Sequence, residues 1–170
     1  MKLISILLFS LILFGCKSTK NEPLAPVNID YNQKFEELLG QFKADGNSVS
    51  YEEMWHVYLK SDQIQNSAVK QDDYLDILNQ LESGQKNCDE IDWLFITSQN
   101  FWSIKPHISA ATCYEMIGDG LKSNYHNSAV EFLLTGILSS GDGTNYYSAY
   151  EVATWGDASD FIELTDYEVV

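Results

Sequence analysis

The sequence predicts a mainly α-helical domain of about six helices, packed as stacked αα-hairpins and ending in a short β-hairpin. Three observations predict it. A polar cap, an apolar stripe at helical spacing and then a breaker recur along residues 29–139. The connections between these stripes are short, which favours antiparallel neighbours. After Ser139 the spacing changes to alternation, the pattern of a strand.

Asp30 with Gln33 reads as a capping box, and Tyr31, Phe35, Leu38, Leu39 and Phe42 share one face up to Asp45-Gly46-Asn47. Ser50 with Glu53 opens a second helix carrying Met54, Trp55, Val57, Tyr58 and Leu59. A third runs from Ser67 to Ser83 with Val69, Tyr74, Leu75, Ile77, Leu78 and Leu81 inward, and Gly84 stops it. A fourth begins near Asn87, with Ile91, Leu94 and Phe95, and fades at Ser98-Gln99-Asn100. Pro106 suits a first helical turn and opens a fifth helix, carrying Ile108, Ala111, Tyr114 and Ile117 up to Gly118-Asp119-Gly120. The sixth runs from Leu121 to Ser139 with Tyr125, Ala129, Phe132, Leu133 and Ile137. Ser140-Gly141-Asp142-Gly143 is turn chemistry, and the hairpin is expected over residues 144–170. Its first strand holds Tyr150, Val152 and Thr154, and its return runs from Phe161 to Val170.

The N-terminus reads differently. Lys2 precedes an almost wholly apolar run, Leu3 to Phe14, too short for the ~20 residues that span a bilayer. It reads as a signal peptide over residues 1–15. Leu13-Phe14-Gly15-Cys16 resembles the bacterial lipobox, so Cys16 is the expected lipidation site. Several acyl chains on Cys16 would hold the chain on a membrane, where one alone binds weakly. Lys17 follows the anchor in place of the aspartate that retains some lipoproteins at the inner membrane. The expected location is therefore the outer membrane of a Gram-negative bacterium, facing the periplasm. Residues 16–28 hold Pro23 and Pro26 and no aromatic residue, and read as a lipidated flexible tether ahead of a single domain over 29–170.

Hydrophobic content of 45% and aromatic content of 13% suffice for a packed core. The chain has 25 Asp and Glu against 10 Lys and no Arg. So acidic a surface repels phosphate backbones and anionic headgroups, so no nucleic-acid partner is expected. The membrane, reached through the lipid on Cys16, and an envelope protein or peptide are the expected partners.

Phe42 to Ser50 resembles the opening of a bacterial family, domain of unknown function 4919, although Asp45-Gly46 inverts the family's Gly-Asp order. His56-Val57-Tyr58-Leu59 stands where the family has a tyrosine-rich segment and departs from it at three of four positions. Ser139 to Thr144, followed by Ala149-Tyr150-Glu151-Val152, is similar to the family's terminal motif. Cys113 to Asp119 looks like a tetratricopeptide-type helix end. The resemblance implies a tetratricopeptide-like helical fold, often on a lipoprotein, and supplies no activity.

No catalytic set, cofactor or metal site is legible. His56, His107 and His126 share no ligand spacing and there is no CxxC. Asp142 to Asn145 offers oxygen ligands but lacks the distal glutamate of a calcium loop, so a tight turn is the plainer reading. Glu36-Glu37, Glu52-Glu53 and Asp72-Asp73 point about 100° apart on a helix and form no shared-proton dyad. The four tryptophans and ten tyrosines read as core, with a sugar- or peptide-binding surface as the alternative.

Cys88 and Cys113 are equidistant from the boundary of Asn100 and Phe101, so an antiparallel pair of helices turning there would hold them level. In an oxidising compartment they are candidates for a disulfide; two free, buried thiols are the alternative. Two function classes follow. One is a lipid-anchored binding scaffold with a shallow groove lined by aromatics and amides. The other is an envelope hydrolase, for instance of glycans, which needs a deep pocket with two carboxylates about 5–10 Å apart.

Overall fold

The computed structural model describes residues 29–165, apart from the side chains of residues 65–73. The expected signal peptide, Cys16 and the tether lie outside the described residues, as do the Asp72-Asp73 side chains and residues 166–170.

Seven α-helices and no strands are found among the described residues, so the protein is mainly α. They are α1 (Tyr31–Ala44), α2 (Tyr51–Tyr58), α3 (Gln63–Glu82), α4 (Trp93–Gln99), α5 (Ile104–Met116), α6 (Gly120–Ser140) and α7 (Trp155–Thr165). Single 3-10 turns stand at Cys88–Glu90 and Tyr146–Ser148. Among the described residues, no helix is long and apolar enough to cross a membrane.

Local chemistry sets most boundaries. The Asp30 carboxylate accepts from the backbone N–H of Asn32 and Gln33 and starts α1, while the Gln33 amide turns away to Glu37, so half of the capping box is missing. Ser50 accepts from the N–H of Glu53 at 3.1 Å and starts α2, a cap typically contributing about 1 kcal/mol. Gly84, at φ +70°, ends α3 as its C′ residue, with the N–H of Gln85 donating back to the Gln80 carbonyl. Asp92 caps α4 through the N–H of Phe95.

That cap explains a difference from the sequence reading. The helix expected from Asn87 is broken into a 3-10 turn, closed by Glu90 on the Asn87 N–H, and a new helix at Trp93. The phase resets across Ile91 and Asp92. Trp93, Ile96 and Thr97 therefore face inward, leaving Leu94 and Phe95 exposed.

The C-terminal β-hairpin is overturned: Trp155–Thr165 is helical. The Thr154 hydroxyl accepts the Asp157 N–H and donates to the Asp157 carboxylate, a reciprocal cap that opens α7. Gly156 falls in the first turn of that helix. The alternation of Tyr150 and Val152 comes from one extended segment leaning both side chains on the core, without a partner strand.

Tetratricopeptide-like stacking is not supported either. The α5–α6 hairpin is the spine of the fold, but α2 reaches across to α6, α7 returns onto α5, and α3 meets both α4 and α5. One apolar cluster joins α1, α2 and α6 to Phe101, Trp102 and Phe161. A second joins Tyr74, Leu78, Ile91, Trp93, Ile96, Ala110, Cys113 and Tyr114.

Candidate functional site

A groove of about 490 Å³ lies between the α1–α2 turn and one face of α6. Ser128, Glu131, Phe132, Thr135, Gly136 and Ser139 recur at three- and four-residue steps, so a single helical stripe forms one wall. The opposite wall is Asp45 to Asn47, Val49 and Tyr51. Its turn is pinned: Asp45 accepts from the Asn47 N–H at 3.0 Å, and the Ser48 hydroxyl donates to the Asp45 carbonyl.

Gly136 makes the close approach of the walls possible. A Cβ there would fall 1.9 Å from the Tyr51 ring, so the ring rests on bare helix backbone. Burial, with the carboxylates of Glu151 and Asp157 nearby, raises the Tyr51 pKa, and its hydroxyl stays a protonated donor. The groove is open, and its volume falls in the range of small-ligand sites.

A second, much smaller space of about 20 Å³ has Asn100, Trp102, Ser103, Thr154 and Asp157 among its lining and room for about one water. Burial raises the Asp157 pKa to about 6 despite the bond from Thr154. Ser103 also favours the charged form without closing a hydrogen bond of normal geometry on Oδ1. Trp102 also lines this space, and its indole N–H is buried without a partner among the described residues. Burial likewise raises the pKa of Asp160, opposed by the Lys105 ammonium 3.0 Å away. Asp157 thus borders space for about one water, and Asp160 is held by Lys105.

The structure brings two of the three histidines together. His107 Nε2–H donates to the Phe101 carbonyl, which can only accept, so His107 Nδ1 is a lone pair and accepts from His126 Nδ1–H at 3.0 Å. His126 Nε2 is then a buried acceptor with no partner among the described residues. Burial lowers the pKa of His107 to about 3, reinforced by repulsion from His126, and that of His126 to about 4. The pairing was not legible from spacing, because His107 lies farther from the α5–α6 turn than His126 does. Among the described residues, no three His, Cys, Asp or Glu groups converge on a metal position.

The structure joins Cys88, in its 3-10 turn, to Cys113 on α5 in a disulfide with Cα atoms 5.1 Å apart. Asp142 caps its own loop: Oδ1 accepts from the N–H and hydroxyl of Thr144 and from the Ser148 hydroxyl, bonds that lower its pKa to about 2. Trp55, Trp93 and Trp102 are core, whereas Trp155 is 92% exposed. The chain matches no protein-family model, and no curated protein or solved structure is similar to it.

Proposed function

We propose that the chain is a lipid-anchored binding scaffold of the bacterial envelope, which holds a protein or peptide in the groove between the α1–α2 turn and α6. The observation that carries this reading is the division of labour among its acidic groups. Two accessible ones, Asp45 and Glu131, line an open groove beside aromatic rings and hydroxyls, while Asp157, whose pKa is raised, borders space for about one water. A hydrolase needs the raised carboxyl and the substrate space in one place.

A photo-crosslinking residue at Ser128, expressed in intact cells, should form a discrete adduct that the same residue at Gln85, outside the groove, does not. Monomer alone from both positions would remove the reading. For the anchor, intact-mass analysis should show a chain beginning at Cys16 with acyl mass added, and Cys16→Ala should be unprocessed or soluble. Wild-type protein recovered lipid-free from the soluble fraction would contradict the assignment.

A further inference from the structure

We propose that the occupant of the groove is a basic peptide segment, whose lysine or arginine side chain is received by Asp45 and Glu131. The proposal rests on the groove being the binding site and adds the chemistry of what it binds.

The charge around the groove is unbalanced. Asp45 and Glu131 line it and no lysine does. Of the lysines elsewhere, Lys34 pairs with Glu53, Lys105 with Asp160 and Glu163, and Lys122 with Asp119, and Lys60 lies over the Tyr31 ring, whereas Lys43 and Lys86 make no ion pair among the described residues and neither lines the groove. Glu131 has no hydrogen-bond or ion-pair partner among the described residues. An anionic ligand would meet repulsion from both carboxylates. A neutral one would displace their water without supplying a countercharge, which is unfavourable. A cation satisfies both.

The remaining lining suits the same guest. Tyr51 and Phe132 add aromatic lining that suits the stem of a lysine or arginine, and the hydroxyls of Ser128, Thr135 and Ser139 can accept N–H donors. The α6 wall from Ser128 to Ser139 runs roughly 16 Å at 1.5 Å per residue, the length of about five extended residues. A lone metal cation finds no cluster of three ligating side chains among the described residues.

The test is fluorescence anisotropy on the full mature protein in neutral detergent, with labelled Gly-Lys-Gly-Lys-Gly as probe and its lysine-acetylated twin as control. The lysine peptide should bind, more weakly as salt rises from about 20 to about 300 mM, and acetylation should weaken it roughly tenfold. Glu131→Gln should cost roughly tenfold, while Glu82→Gln, the same charge change outside the groove, should cost less than about twofold. No binding, equal binding of the acetylated peptide, or equal effects of the two substitutions overturns the proposal. Acetylated peptide that binds as tightly but is lost on Thr135→Trp would leave the groove standing as a site and remove only its preference for cations. Absent groove crosslinks in cells would remove the site itself.

Discussion

Acidification from neutral pH to about pH 4.5 is expected to weaken the domain by several kcal/mol, with the His107–His126 pair as the largest single cause. Both rings have folded-state pKa values lowered below 6.5, to about 3 and about 4, because burial disfavours their charged forms. The unfolded chain takes up protons as pH falls through 6.5 and the folded one does not, so stability falls with pH down to the folded values. At about pH 4.5 the two rings together account for on the order of 5 kcal/mol. A second proton on the pair would also turn both Nδ1 atoms into donors and break their bond.

Asp157 works in the opposite direction. Its folded pKa is raised from 3.8 to about 6, so the folded state is protonated first, and stability is gained as pH falls through that interval. The gain at about pH 4.5 is about 2 kcal/mol, which offsets less than half of the histidine loss. Urea unfolding at the two pH values separates the contributions. The double variant His107→Met with His126→Met should lose far less stability on acidification than the wild type. Asp157→Asn keeps an acceptor for Thr154 but no longer titrates, and should lose more. Parallel pH curves for the three proteins would refute the assignment.

The legible part of the fold was what single side chains decide locally. Asp30, Ser50 and Gly84 start and stop helices by bonds reaching three to five residues, and all three act where the sequence placed them. The hairpin failed because alternation reports only which faces of an extended segment are buried; strand pairing is a tertiary fact that Tyr150 and Val152 cannot encode alone. Thr154 and Asp157 carried the correct signal, a capping pair at the right spacing, and the glycine between them masked it. The α6 wall of the groove could be read as a polar and small-residue stripe from Ser128 to Ser139. Its opposite wall could not, because the contact of Tyr51 with Gly136 joins positions 85 residues apart.

Opening the Cys88–Cys113 bond is expected to destabilise the domain by about 3 kcal/mol, since the bond closes a loop of sequence separation 25 in the unfolded chain. The folded state also depends on it locally. Cys88 lies in a single 3-10 turn, a segment otherwise held by the Asn87–Glu90 bond and by partial burial against the second apolar cluster. Cys113 is 1% exposed in that cluster and is fixed by α5. The bond thus fastens the connection between α3 and α4 to the spine of the fold. Cys88→Ala with Cys113→Ala should lower the unfolding temperature by about 10 °C. Hydrogen exchange should rise first around residues 85–92, with α1, α2 and α6 slower to respond because their apolar cluster contains neither cysteine. Serine is the wrong replacement at position 113, where a buried hydroxyl would add a separate penalty. Coincident unfolding curves for the wild type and the alanine pair would show that the loop carries no constraint. Uniform acceleration of exchange across all seven helices would place the effect on the global unfolded state alone.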